Sequence, residues 1–279
     1  MTLADLPYST NDLFPPGDFA FHMRFRRGDI AQFYQNTPDH TDIIAERRKW
    51  LQHDPTKYVA ALPEAEPLLA EAVEVANSVG VNARIGNSAS ETMTNLGAAW
   101  EPDLLILQSP FPTSQPILIA GCVCFPSSWA LEEKIGRPLD TIHAPVPTLN
   151  DQFANPVQQF LARIKPGVSW ERINWGLSRS PELNQHPSRK LPRLDAALTL
   201  EEVWFRAEYQ SLIALPKTGG VLFGIRLVIE PLTKLRSDQN FIAGLTRAIQ
   251  SMPEPIATYK GLAGARARLL ELLAFPPQI

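Results

Sequence analysis

Among 279 residues, the stretch most able to do chemistry ends on one histidine, in Ile142-His143-Ala144-Pro145-Val146-Pro147. A neutral imidazole on a fixed backbone can ligate a metal or act as a general base. The prolines supply the fixity, because each locks its own φ and biases the preceding residue away from the α region. Ile142, Ala144, Pro145 and Val146 supply apolar walls. A hydrogen-bonded structural role for His143 stays open on spacing alone. The other histidines, at 22, 40, 53 and 186, lie in polar or loop contexts.

A second set of reactive side chains comes from alternation along three strand-like stretches. In Glu171-Arg-Ile-Asn-Trp-Gly-Leu177, Arg172 and Asn174 fall on one face, and Ile173, Trp175 and Leu177 on the other. In 203–213, Trp204, Arg206, Glu208 and Gln210 point one way. In 221–229, Arg226 stands opposite Val221, Phe223, Ile225, Leu227 and Ile229. Two readings are open. The polar residues form the solvated outer face of a sheet, or they line a pocket where arginines bind anionic groups and Glu208 binds a cation. On the second reading, Arg172, Arg206 and Arg226 converge on one cavity beside His143.

Cys122 and Cys124 share a strand face, where they read as core packing and are badly placed to bridge each other. No second Cys/His cluster completes a zinc site, and no Ser-His-Asp elbow, phosphate loop or dinucleotide fingerprint is present.

These residues need elements to position them. Residues 116–125 read as a strand, paired as a hairpin with 103–108 across a Pro- and Ser-rich turn. Pro126 breaks it, and Ser127 or Ser128 caps a short helix over 129–135 that ends at Gly136. One more turn, 139–142, presents His143. A helix follows over 153–164, then strands over 170–177, 203–215 and 220–231, with a long loop between the first two.

Ahead of this core, 22–28 reads as an edge strand, and helices run from Asp39 or Thr41 to Leu51 and onward from Pro67. Residues 81–96, rich in Asn, Ser and Gly, read as loop. Two helices close the chain, 238–252 capped by Ser237, and 256–274. The resulting division is a mainly helical extension over 1–99, a core over 100–232 and packing helices over 233–279.

Composition narrows the function. A net charge of −3 gives no field to draw nucleic acid or an anionic membrane. No window approaches the roughly 18 apolar residues of a membrane span. The start, Met1-Thr-Leu-Ala-Asp, lacks the charged and apolar regions of a secretory signal, so a cytoplasmic protein is expected.

The order strand, short helices, then Gly136-Arg-Pro-Leu139 resembles the middle of a PAS domain. The wider set, FPSSW at 125–129, EKIGRPL at 133–139, IHAPVP at 142–147, ERINWGL at 171–177 and RAEYQSLIALPKTGGVLFGIR at 206–226, resembles the bacterial heme-dependent oxidative N-demethylase family. The resemblance covers roughly 100–232 and extends weakly into the flanks. It implies an α+β fold, with a PAS-like antiparallel sheet, helices across one face and terminal helical extensions.

It also implies heme b, with His143 facing the iron as axial ligand or distal residue. By position, Arg172, Asn174, Trp175 and Gln210 are expected to bind the cofactor, and Arg206, Glu208 and Arg226 to serve catalysis. Tyr209 stands where the family pattern has arginine, which leaves the substrate open.

The implied activity is a heme-dependent monooxygenase acting on a small methylated amine and O2. Because the chain has no flavin or nicotinamide motif and too few cysteines for an iron–sulfur cluster, its electrons are expected from a separate flavin/iron–sulfur reductase. The competing reading is a PAS-type heme or small-molecule sensor without turnover, although no kinase signature, DNA-reading helix or long heptad accompanies it. A scaffold that has lost its cofactor is a third.

Overall fold

The computed structural model describes residues 1–109 and 115–274. Seven antiparallel strands form one sheet: β1 Arg26–Gly28, β2 Val59–Ala61, β3 Asp103–Gln108, β4 Ile117–Cys122, β5 Ser169–Ser178, β6 Trp204–Ala214 and β7 Val221–Pro231. Their spatial order is β1-β5-β6-β7-β3-β4-β2. With its helices this is an α+β fold. The five expected strands are present, and the two short ones lie at the sheet's edges. Of 22–28 only β1 pairs, and β2 was not expected at all. The turn between β3 and β4 lies largely outside the described residues.

The β6–β7 hairpin closes through Leu215 N–H donating to the Gly220 carbonyl at 2.8 Å, with Gly219 at φ 74°. That positive φ is where a glycine costs least.

Strand alternation divides the molecule into two unequal layers. On one face Ile173, Trp175, Leu177, Phe205, Ala207, Tyr209, Leu222 and Val228 join the main core with the N- and C-terminal helices. There Phe14 lies edge-to-face with Trp175 at 5.2 Å and with Phe241 at 5.2 Å, so early, middle and late parts of the chain meet. Each such pair is worth about 1 kcal/mol beyond its buried area.

On the other face Trp170, Leu212, Phe223 and Ile225 meet Leu139, Ile142, Val157, Phe160 and Leu161 in a smaller cluster. This layer comes from helices Leu139–His143 and Leu149–Leu161, inserted between β4 and β5. It covers its face incompletely. Along β7, Leu222, Gly224, Arg226 and Val228 are buried, whereas Phe223, Ile225, Leu227 and Ile229 keep partial exposure.

Several local expectations are corrected. Residues Ala89–Ala99 are helical where a loop was read, because Ser88 caps them by accepting from Glu91 N–H at 3.2 Å. Ala89, Thr92, Met93 and Leu96 form their buried stripe. Gly97 permits the close approach to β4, since a Cβ there would lie 2.1 Å from Cys122 Sγ.

The helix read over 129–135 is only a 3-10 turn, Leu131–Glu133, and neither Ser127 nor Ser128 caps it. Gly136, at φ 75°, ends that segment. Asp238, not Ser237, caps Gln239–Ser251, accepting from Asn240 and Phe241 N–H at 3.0 Å each. The final helix is broken at Gly261, φ 70°, into Glu254–Tyr259 and Arg266–Ala274.

Candidate functional site

His143 ends the turn Leu139–His143, which Pro138 opens and which continues as Val146 N–H donates to the His143 carbonyl at 2.9 Å. The turn lies over the incompletely covered sheet face, with Leu139 and Ile142 in its apolar cluster. Among the described residues the imidazole has no side-chain hydrogen-bond partner. Burial, then the nearby Arg172 cation, push its pKa down to about 4, so it is neutral at neutral pH.

Arg172 rises from β5 on the same face. Its guanidinium donates to Met23 Sδ and lies 5.8 Å from the Phe25 ring centre. It has no acidic partner within ion-pair distance among the described residues. Burial lowers its pKa, while Glu208 opposes that shift.

Register brings the carboxylate to it. Arg172 pairs with Gln210 and Asn174 with Glu208 across β5 and β6, so all four side chains share one face. Asn174 Nδ2 donates to Glu208 Oε2 at 3.2 Å, and Gln210 Nε2 donates to the same oxygen at 2.9 Å. The second carboxylate oxygen receives no hydrogen bond among the described residues.

Arg206 also emerges on this face, but it is occupied. Its Nη1 donates to the Glu182 carbonyl at 2.8 Å, and Nη2 to the Leu183 carbonyl at 3.1 Å and to Ser127 Oγ at 3.3 Å. Burial lowers its pKa to about 10, with Glu208 and Asp103 opposing, and its Nε has no partner. Its position makes it a clamp on the 179–203 loop.

Arg226 and Trp175 do not belong to this face. Arg226 pairs in register with Tyr209, not with Glu208 or Gln210, so it points to the opposite side of the sheet. There it donates to Glu101, to the Phe33 carbonyl at 2.6 Å and to the Gln35 carbonyl at 2.6 Å. The three arginines therefore do not converge. Trp175 packs in the main core against Phe14 and Phe205.

Tyr209 is on that side too, its hydroxyl donating to Glu171 Oε2 at 2.7 Å. The tyrosine in place of an arginine thus lies away from the Glu208 pocket. Cys122 and Cys124 are buried free thiols behind the sheet beside Arg47, with 3.9 Å between sulfurs. Among the described residues no group of three or more His, Cys, Asp or Glu could hold a metal ion by itself.

Sequence reasoning missed Lys260, Met23 and Phe25. Lys260 follows Glu254–Tyr259, and its Nζ donates to the Trp175 carbonyl at 2.7 Å. Burial, partly countered by Glu208, lowers its pKa to about 8. No local motif marks these residues; only the folded chain brings positions 23, 25 and 260 to strand β5.

The assembled site is an apolar platform with a neutral imidazole, an arginine lacking a carboxylate partner and a glutamate oriented by two amides. Such a donor set could receive a planar apolar group bearing carboxylates, with the platform under its ring, the imidazole towards a bound iron and Arg172 towards its acids. A family model described as "Haem-dependent oxidative N-demethylase, alpha subunit-like" matches residues 77–270, about two-thirds of the chain.

Proposed function

Because the chain belongs to the heme-dependent oxidative N-demethylase alpha-subunit-like family, we propose that it holds one heme b non-covalently and demethylates a small methylated amine as a monooxygenase. The observation that carries this reading is the neutral imidazole of His143 above a half-covered apolar sheet face, beside Arg172, with no side-chain partner for the imidazole and no acidic partner for the arginine among the described residues. The bound heme supplies activation of O2, and the net reaction takes amine, O2, two electrons and two protons to shortened amine, formaldehyde and water. With no flavin or nicotinamide motif in the chain, the electrons come from a separate reductase.

The protein's own residues bind and orient. His143 would face the iron with an imidazole already neutral at neutral pH. Arg172 would pair with the cofactor's carboxylates, and Phe223, Ile225 and Trp170 would offer its ring an apolar face. Glu208, fixed through Oε2 by Asn174 and Gln210, accepts the ammonium N–H at its other oxygen. Arg206 holds the 179–203 loop against this face.

The helices inserted between β4 and β5 across one sheet face support a PAS-like core over 100–232, with 1–99, which also adds the edge strands β1 and β2, and 233–279 as extensions. No described helix is long and apolar enough to cross a membrane, and a cytoplasmic setting suits the two free thiols. Titration of the apoprotein with hemin tests the reading. The expected result is a saturable Soret change at one heme per chain, while a spectrum indistinguishable from free hemin would sink it.

A further inference from the structure

We propose that Leu227 selects the N-alkyl groups of the bound amine and is thus a specificity-determining residue for the demethylation. The inference rests on the reading of Glu208 as the amine anchor and adds the surface on which the alkyl groups lie.

Register gives the polar residues of β6 different neighbours on their two sides. Gly176, Asn174 and Arg172 of β5 stand opposite Arg206, Glu208 and Gln210. Ile229, Leu227 and Ile225 of β7 stand opposite the same residues. Directly opposed residues of an antiparallel pair share a face, with Cβ atoms about 4.5–5.5 Å apart. Glu208 therefore has an amide on its β5 side and the branched apolar side chain of Leu227 on its β7 side.

The amides are spent on fixing the carboxylate. Asn174 Nδ2 and Gln210 Nε2 both donate to Oε2, at 3.2 Å and 2.9 Å, and Oε1 accepts nothing among the described residues. An ammonium held on Oε1 brings its alkyl carbons within reach of whatever flanks the carboxylate. An alkyl carbon against Leu227 leaves water at no polar cost, whereas one against Asn174 displaces water from an amide. Leu227 is the side to which the alkyl groups turn.

The surroundings of Leu227 agree. Ile225, the next β7 residue on this face and about 7 Å along the strand, joins Leu139 and Ile142 in the cluster under the His143 turn. Leu227 keeps partial exposure, while Gly224, Arg226 and Val228 on the other face are buried. Part of its surface touches the main core. The competing explanation is a leucine that serves that packing alone.

Calorimetric titration of the heme-loaded protein with dimethylammonium and with diethylammonium separates these explanations, because the two ions share one charge and differ only in alkyl length. Leu227→Ala should move the ratio of their affinities about tenfold toward diethylammonium, the discrimination that an apolar pocket achieves per methylene. Leu227→Val, which keeps most of the volume and guards against an alanine variant that fails to fold, should move it less and in the same direction. Ile229→Ala, one row away opposite Arg206, should leave the ratio within about twofold. A ratio unchanged in the Leu227 variants that fold, or moved as far by Ile229→Ala, would overturn the proposal. Glu208→Gln tests the premise and should weaken both ions alike. If it weakens neither, the amine-anchor reading falls and this inference falls with it; if it weakens both while the Leu227 variants leave the ratio in place, only the inference falls.

Discussion

Arg226 and Glu101 form an ion pair buried on the side of the sheet facing away from His143, with relative exposures of 5% and 1% at their side chains. Both partners are satisfied beyond the pair. Glu101 also accepts from Thr37 N–H at 2.7 Å and Thr37 Oγ at 3.0 Å, and it lies 2.9 Å from His40 Nδ1. Arg226 completes its fork on the carbonyls of Phe33 and Gln35. The pair thus ties the 30–40 segment and the start of β3 to the centre of the sheet.

Arg226→Ala should therefore act on stability and not on the heme site. Removing one partner strands Glu101 and the carbonyls of Phe33 and Gln35 in the core, which costs on the order of 3–5 kcal/mol. Urea denaturation should show that loss. Hemin binding at temperatures where the variant is folded should match wild type; a selective loss of hemin binding in a variant of normal stability would contradict the placement.

The same pair sets an acid limit. Burial works to raise the Glu101 pKa, but Arg226 and the Thr37 donors outweigh it, leaving it below the ordinary 4.5. The unfolded state therefore binds the proton first as pH falls. The stabilisation is complete above the unfolded value and disappears as pH drops through the lower folded value. The stability gap between wild type and Glu101→Gln should be flat from pH 6 to 8 and shrink only below about pH 4.5. A gap that closes between pH 6 and 7 would show that another group carries it.

The two arginines of β5 and β7 mark how far the amino-acid sequence carried the site. Alternation within β5 correctly separates Arg172 and Asn174 from Ile173 and Trp175, and the same holds within β7 for Arg226 against its apolar neighbours. What alternation lacks is the register between strands. Pairing Tyr209 with Arg226 puts β7's apolar residues, not its arginine, beside Glu208 and Gln210. An arginine among hydrophobics is thus a buried pairing site here, and its partner Glu101 lies 125 residues away.

The helix at Ala89–Ala99 failed for a local reason. Its Ser, Asn and Gly content speaks for a loop, whereas its buried stripe at 89, 92, 93 and 96 has helical spacing. Lys260 was hidden differently, since a single lysine after a helix carries no pattern until the chain folds it onto β5. The turn that carries His143 was legible because the prolines around it restrict the backbone without tertiary help.

His143 itself provides the sharpest test. Its imidazole has no hydrogen-bond partner among the described residues, so His143→Ala leaves no donor or acceptor stranded and should cost about 1 kcal/mol of apoprotein stability. The thiols of Cys122 and Cys124 do not replace it as a ligand, because they face the opposite layer. If His143 is the axial ligand, the variant should lose most of its heme on gel filtration, or keep heme with a displaced Soret band. Added free imidazole should restore the wild-type band by entering the vacated space. A distal role gives another result: full heme content, a nearly unchanged ferric spectrum and lost demethylation. Heme content and the absorption spectrum, read with and without imidazole, decide between the two. Wild-type spectrum and wild-type turnover together would remove His143 from the mechanism.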